Sequence, residues 1–485
     1  MKRLKFIIPS LTATLLLFTL SNAQDLTFSK HDIGTVELLP DSDPINLSLN
    51  GERIFISEKF ESAVLNYNQY SYDANGKTTF SGKLEIPGGD FKNSFDIRDV
   101  IIFGNKQYAL VQNKDKNTGK NRFLAREVSN GVVSSSETEV MSFAFDKLMN
   151  SGFNHVAVSP GNKKMAVMAE LPYERKEEAS LKIAVYSDGL SKDKEVSLKI
   201  PGENTKNKKL ILKVADDGTV YIIKRTTLKN GEKSLTIYQL MDDSKLKEYT
   251  IDLGDPLYVT SFTHTVNSDN ELIVCGIYYE RTTLTVNDQK MAGVFYYTNK
   301  GKSEDIMTSF ALDSPVEILE TRKVLISNST VYLVAEQYKS VSEVANPGST
   351  IPTYNYNYTH KSNYVIGLNM DGSKKFQIEL SKDFSATNNN HQFYAAFFIC
   401  NGKLTAVYND QIQKYIKNHG AGLIPVLVQI DENGLMHAPI PFEGDFASST
   451  TILYPFFAVQ DSDSQLTFLM KQGTQSKLLT VQIKN

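Results

Sequence analysis

Apolar and polar residues alternate with a period of two along most of this chain, in short runs broken by polar turns, and that period belongs to half-buried strands. Residues 207–253 show it most clearly. Leu210-Ile211-Leu212-Lys213-Val214 leads into the turn Ala215-Asp216-Asp217-Gly218. Val220-Tyr221-Ile222-Ile223, Leu235-Thr236-Ile237-Tyr238-Gln239-Leu240 and Glu248-Tyr249-Thr250-Ile251-Asp252-Leu253 follow. The segment predicts four antiparallel strands in a meander. A strand closing on a polar turn recurs at Tyr72-Asp73-Ala74-Asn75-Gly76, Val128-Ser129-Asn130-Gly131, Tyr186-Ser187-Asp188-Gly189, Leu240-Met241-Asp242-Asp243-Ser244, Tyr297-Thr298-Asn299-Lys300-Gly301, Leu368-Asn369-Met370-Asp371-Gly372 and Ile430-Asp431-Glu432-Asn433-Gly434. Asn-Gly and Asp-Gly favour such hairpins because both turn positions take positive φ. Further units begin near Pro44, Ile97, Phe153, Leu257, Val316, Gln392 and Thr451.

The last unit ends early. It supplies Ile452 to Ala458, Gln465 to Met470 and Lys477 to Ile483, and the sequence then stops one strand short. A spare run, Leu26-Thr27-Phe28-Ser29 through Val36-Glu37-Leu38-Leu39, precedes the first full unit. If it is the missing strand, the two ends share one sheet and no sheet edge is left open. Repeated four-stranded meanders are the sequence form of propeller blades. The expectation is an all-β chain in which residues 24–485 form a single eight-bladed β-propeller; misparsing one unit would leave seven blades.

Ser159-Pro160-Gly161-Asn162-Lys163-Lys164-Met165-Ala166-Val167 resembles the Ser-Pro-Asp-Gly-Lys-x-Ile-Ala hairpin of TolB-type and WD40-like propellers, with Gly161-Asn162 where Asp-Gly is usual. Asp216-Asp217-Gly218-Thr219-Val220-Tyr221 is a degenerate copy. The resemblance implies a propeller throughout, in an exported bacterial protein, and implies no activity, since one fold hosts unrelated functions. With no Trp in the chain, Trp-containing blade signatures are absent.

The first residues change the picture of location. Lys2, Arg3 and Lys5 precede an apolar stretch from Phe6 to Leu20 and the small-residue site Ser21-Asn22-Ala23. That is the pattern of a secretory signal peptide, with cleavage expected after Ala23. No Cys follows to carry a lipid anchor, so the expected location is secreted or periplasmic. Cleavage would take the net charge from −3 to −6, because residues 1–23 hold three basic and no acidic side chains. A mildly acidic protein is a poor partner for nucleic acid. Nothing downstream reads as a membrane span. With 41% hydrophobic and 22% charged residues, disordered and polytopic membrane chains are excluded. Cys275 and Cys400 sit in separate apolar runs and read as buried free thiols.

In such a meander the first-to-second and third-to-fourth turns share one rim and the remaining connections share the other. The second set is long here: Asn113 to Asn121, Leu171 to Ser180, Lys224 to Lys233, Glu280 to Lys290, Tyr338 to Asn363 and Asn409 to Ala421. Function concentrates on long loops held by a rigid scaffold. These loops carry Lys114, Lys116, Lys120, Lys224, Arg225, Lys229, Arg281, Lys414 and Lys417. Connections entering the innermost strands carry Asp43, Asp96, Asp99, Asp255, Asp313, Asp383 and Asp445. Two readings stand: an acidic ring able to receive a cation inside a basic collar, or Asp serving as a turn former.

The longest insertion contains Tyr354-Asn355-Tyr356-Asn357-Tyr358-Thr359-His360 after Pro347 to Pro352. Alternating Tyr and Asn suit a paratope-like loop; they also suit a strand packing Tyr354, Tyr356 and Tyr358 on one side. A short amphipathic helix is expected at Gln411 to Asn418. No zinc spacing, nucleophile elbow or phosphate-binding glycine loop occurs. His155, His264 and His391 fall on innermost strands and could meet around the channel, although His is often buried without catalysing anything.

Two functions are therefore carried forward. The first is a non-catalytic binding or scaffold module using the long-loop rim, with Tyr354, Tyr356, Tyr358, His360, Asp255, Asp313, Asp383, His155 and His391 as candidate ligand-binding residues. The second is a propeller hydrolase or lyase acting on an extracellular glycan or peptide at the channel mouth. The expected partner is a protein, peptide or glycan in the cell envelope or outside the cell, and no cofactor, metal or catalytic residue is assigned.

Overall fold

The computed structural model describes residues 27–36, 44–61, 64–87, 95–173, 177–203, 208–227, 233–241, 245–281, 290–299, 304–345, 353–388, 391–417, 421–442, 446 and 451–484. The expected signal segment 1–23, Asp43, Asp445, Lys229 and the stretch from Pro347 to Pro352 lie outside them. Among the described residues the chain is almost entirely β, in seven antiparallel sheets. Five sheets are built on one four-stranded meander each, and a sixth joins the last three strands to Thr27–Val36. The largest holds two, residues 208–251 and 257–317, joined through the single register pair Lys233 to Val259.

The strands follow the alternation closely. Lys208–Val214, Val220–Thr227, Lys233–Leu240 and Leu246–Ile251 occupy the four runs expected between 207 and 253. Polar turns close the hairpins as anticipated: the Oδ1 atoms of Asp73, Asp371 and Asp431 each accept the backbone N–H two residues on. Gly76, Gly372 and Gly434 then take φ of 78°, 81° and 84°, a region that favours glycine. The Ser159-Pro160-Gly161-Asn162 hairpin also ties neighbouring sheets together. Ser159 Oγ accepts from the Lys163 and Lys164 N–H groups. Asn162 exchanges two hydrogen bonds with Gly104, and Gly161 N–H donates to Asp216 Oδ1 at 2.8 Å.

Second strands are buried on both faces, and the period of two sends successive residues to opposite neighbours. Ile54 and Ile56 pack with Ile97 and Val111 of the following sheet, whereas Phe55 packs with Tyr454 and Phe457 near the end of the chain. Met165 and Val167 join Leu110 and Phe123, while Ala166 and Met168 join Leu210 and Leu212. The hydrophobic core therefore lies between sheets, shared by sequence neighbours. First strands pack against one another: Pro44–Leu49 touches Phe95–Phe103, which touches Phe153–Val158, which touches Lys208–Val214. Leu257–Val266, Glu320–Ser327, Ala395–Cys400, Thr451–Ser462 and again Pro44–Leu49 form a second such series.

The N-terminal strand Thr27–Val36 pairs antiparallel with the C-terminal strand Gln475–Lys484, from Thr27 opposite Lys484 to Val36 opposite Ser476. Nearby, the buried Arg53 grips Asp461 with two hydrogen bonds, of 3.0 and 3.1 Å. Cys275 and Cys400 are free and buried, and no helix among the described residues is long and apolar enough to cross a membrane.

Three local expectations are corrected. The sixth unit starts at Glu320, not near Val316, because the preceding edge strand Ile306–Glu317 runs on through Pro315 after a register shift; proline is tolerated there because an edge residue need not donate. The helix expected from Gln411 to Asn418 is a single 3-10 turn, Ile412–Lys414. Lys414 and the Tyr415 hydroxyl both fold back on Asp410 at 2.8 Å, and Ile412 is buried. The Tyr338 to Asn363 connection is mostly not a loop. Its flanks lie in two long paired strands, Thr330–Val344 and Tyr354–Asn369.

Candidate functional site

The long hairpin projects well beyond the strands beside it. Pairing continues from Thr330 opposite Asn369 to Val344 opposite Tyr354, and the short strand Phe384–Thr387 adds along Asn357 to His360. Asn388 extends that edge: its N–H donates to the Tyr356 carbonyl at 2.8 Å, and its Oδ1 accepts the Tyr356 N–H at 2.9 Å. Strand alternation places Tyr354, Tyr356, Tyr358 and His360 on one face. Tyr356 stacks on Tyr358 with ring centroids 6.4 Å apart, and Tyr358 stacks on Tyr338 at 6.3 Å. Tyr338 meets His360 at 5.0 Å and Tyr394 at 6.3 Å, and Tyr394 meets Phe456 at 5.0 Å. The outer end of this row is open, with Tyr354 and Tyr356 49% and 46% exposed, whereas His360 is fully buried.

Charge holds the base of the row. Glu336 accepts hydrogen bonds from His360 Nδ1 at 2.9 Å, Lys382 Nζ at 2.5 Å and Arg322 Nε at 2.8 Å. Lys382 also donates to the Phe393 carbonyl at 2.6 Å. The Arg322 guanidinium lies 4.5 Å from the Tyr338 ring and 5.4 Å from Tyr394, a favourable cation–π geometry. Burial by itself would raise the Glu336 carboxyl, but the His360 hydrogen bond and the Lys382 and Arg322 charges outweigh it and hold the group at about 2. Burial pushes His360 and Lys382 below their ordinary values, with Glu336 opposing.

A second feature is a cavity of about 640 Å³ lined by Arg98 and Asp99, residues 153–156 and 209–213, and His264. Its walls are first strands, which are less buried than second strands: Phe153–Val158 has no fully buried residue, whereas Met165–Ala169 is wholly buried. His155 Nε2 lies 2.7 Å from Glu170 Oε1, and Lys208 Nζ lies 3.0 Å from Glu170 Oε2. Burial would raise the Glu170 carboxyl; His155 and Lys208 together keep it low.

Of the candidate residues, Tyr356, Tyr358 and His360 join one aromatic row, and Tyr354 lies at its outer end. His391 reaches its inner end through Phe456, 5.7 Å away, from a 3-10 turn rather than an innermost strand. Exposed Asp383 follows Lys382 in the chain. The others lie apart. Asp255 accepts from the Tyr258 hydroxyl at 2.7 Å, Asp313 is paired with Lys374, and His155 belongs to the cavity. His155 and His264 share that cavity, but His391 does not line it. The described aspartates of the expected ring are engaged separately: Asp96 faces Arg98 at 3.6 Å, and Asp99 Oδ1 accepts the Val100 N–H. No group of three or more His, Cys, Asp or Glu among the described residues is placed to hold a metal ion.

Glu336, Arg322, Lys382, Tyr338 and Tyr394 were not singled out from the sequence, nor was Glu170. One signal was available. Glu170, Glu336 and Asp410 each stand at or near the end of the apolar run of a second strand, and each is then used by a cation.

No family model and no curated protein matches this chain. Among solved structures, it is similar to the WD40 domain of SCAP from fission yeast, at 10% identity over 94% of this chain and 98% of that one, with a TM-score of 0.38. It is similar to the polysaccharide lyase Uly1 at 10% identity, over 91% and 90% of the two chains, with a TM-score of 0.42. The β-propeller domain of the Trilobed protease from Pyrococcus furiosus matches at 9% identity, over 72% of this chain and 97% of that one, with a TM-score of 0.32.

Proposed function

We propose that residues 24–485 form an eight-bladed β-propeller, exported by the segment 1–23, that binds a protein, peptide or glycan in the cell envelope or outside the cell without transforming it. The architecture is supported by the chain's own packing: meanders whose first strands touch in two consecutive series, cores shared between neighbours, and the strands Thr27–Val36 and Gln475–Lys484 paired in one sheet. Counting the two meanders of the largest sheet separately is what favours eight blades over seven.

The binding reading rests on one observation, the aromatic row from Tyr356 to Phe456, open at its outer end and clamped at its base by Glu336. Tyr rings present large amphipathic surfaces with little side-chain freedom to lose, which suits recognition of sugar faces and peptide chains. A panel of cell-wall glycans and envelope peptides, measured by biolayer interferometry, tests it. The Tyr354→Ala/Tyr356→Ala double variant is expected to bind at least tenfold more weakly; unchanged binding would refute the reading.

A hydrolase or lyase at the channel mouth is the second reading, favoured by one contact: His155 and the Glu170 carboxylate converge within hydrogen-bond reach beside the cavity, as an acid–base pair requires. Turnover of any panel member that is lost in His155→Ala would favour it over simple binding.

A further inference from the structure

Two residues that line the cavity carry polar atoms with no partner among the described residues. Both side-chain atoms of Asn154, Oδ1 and Nδ2, are buried and unbonded, and so is His264 Nδ1. Both residues line the cavity. Buried polar groups in native proteins are normally hydrogen-bonded, to protein or to something held in place. Lys213 lines the same wall, and burial alone lowers its pKa, with no carboxylate raising it.

Strand alternation explains how Lys213 comes to be there. Leu210, Leu212 and Val214 enter the core shared with the preceding sheet, which leaves Lys209, Ile211 and Lys213 on the other face. Arg98 adds a third cation, with Nε held by Gln112 at 2.8 Å. Against these stand Asp96, which faces Arg98 at 3.6 Å, and Asp99, which is engaged with the Val100 N–H. Glu170, on the far side of His155, is already paired twice. The surplus of positive charge is local, since the chain as a whole carries −3.

We propose that this cavity is a binding site for a small organic anion, whose carboxylate or phosphate lies against Lys213 while hydroxyl or amide groups satisfy Asn154 and His264. A space of about 640 Å³ falls within the range that encloses a small molecule. Lys209 adds to the field that draws the anion in. His264 suits the neutral part of the ligand: burial and then the Lys213 charge hold it at about 4, so at neutral pH its ring offers one donor and one acceptor.

The probes are citrate and inorganic phosphate, with glucose as the neutral control and sodium chloride at matched ionic strength. Binding is read by isothermal titration calorimetry and by the shift in Tm of the whole protein. One of the two anions is expected to bind and raise Tm; the tighter one identifies the anionic group. Lys213→Met is expected to weaken binding at least tenfold. Asn154→Asp, which places a carboxylate in the cavity, is expected to do the same. Lys199→Met, an exposed lysine on an outer strand, is expected to leave binding unchanged. The proposal is overturned if neither anion shifts Tm beyond the salt control, if glucose does as well, or if binding survives in both cavity variants. Tyr354 and Tyr356 are outside this site, so their double variant is expected to bind the anion normally, whatever becomes of the partner-binding reading.

Discussion

His360 Nδ1 donates to Glu336 Oε1 across 2.9 Å, and the two side chains are 0% and 1% exposed. Lys382 and Arg322 complete the set around the same carboxylate. Taking a charge out of water is expensive unless partners replace the water, so removing one member leaves the others uncompensated. Glu336→Ala strands the buried ammonium of Lys382. The expected loss is about 3–5 kcal/mol, read as a lower urea midpoint with unchanged m-value.

Stability is expected to fall in acid in two stages. The buried His264 is held at about 4, against an ordinary 6.5. A depressed histidine lets the unfolded chain bind a proton that the folded chain refuses, so stability is full above pH 6.5 and declines as pH falls toward 4. The decline from this group is on the order of 3 kcal/mol, at about 1.36 kcal/mol per unit. Glu336, held at about 2, adds a second decline from its ordinary value of 4.5 downward. Tm measured across this range in wild type and His264→Gln checks the first stage, which the variant should diminish, the remainder belonging to His360, also held below its ordinary value by burial.

The aromatic row is expected to separate structural from exposed members. Tyr338 lies between the Arg322 guanidinium and the Tyr358 and His360 rings, and Tyr338→Ala should cost about 2–4 kcal/mol through lost packing. Tyr354→Ala and Tyr356→Ala, at half-exposed positions, should stay within about 0.5 kcal/mol of wild type. Thermal unfolding of the three variants decides this; a large loss at Tyr356 would show that it is part of the packing.

Gly276 is a backbone-approach position. A Cβ added there would stand 2.5 Å from the Ser261 carbonyl and 2.2 Å from the Phe295 ring. The ring can move but the strand carbonyl opposite cannot move cheaply. Gly276→Ala is expected to destabilise by about 1–3 kcal/mol through overpacking, whereas Gly51→Ser, with open space around it, is limited by its φ of 81° alone. Soluble yield and Tm compare the two.

Arg53 joins the first complete meander to the last sheet. Besides Asp461 it donates to the Asp73 and Ala74 carbonyls, both at 3.2 Å. Arg53→Ala should cost about 3 kcal/mol or more, since a buried Asp–Arg pair and two carbonyls lose their donor together. Limited proteolysis should then cut first near the two chain ends.

Strands and turns were legible because short apolar or alternating runs end in polar turns, several of which satisfy their own backbone. The Lys208–Val214 strand, with its alternating burial, and the Asp73 to Gly76 turn are examples. The expected start near Val316 failed because Asp313-Ser314-Pro315 looks like a connection, yet an edge strand can absorb it. The Tyr358 and His360 positions were visible as an alternating segment. Their anchor was not, because Glu336, Lys382 and Arg322 come from three separate stretches that only the folded sheet brings around one carboxylate. Exposed Asp313 and Asp255 drew attention through composition, but each satisfies a local neighbour instead of a common site.

The pairing of Thr27–Val36 with Gln475–Lys484 has a consequence for biosynthesis. The strand that leaves the ribosome early must wait, unpartnered, until Gln475–Lys484 has been made, and closure of a loop of more than 400 residues is then required in one step. During that interval two sticky β edges are available to other molecules. A holding chaperone, or a passage that keeps the polypeptide extended until translation is complete, would protect this protein more than one whose terminal segments fold locally.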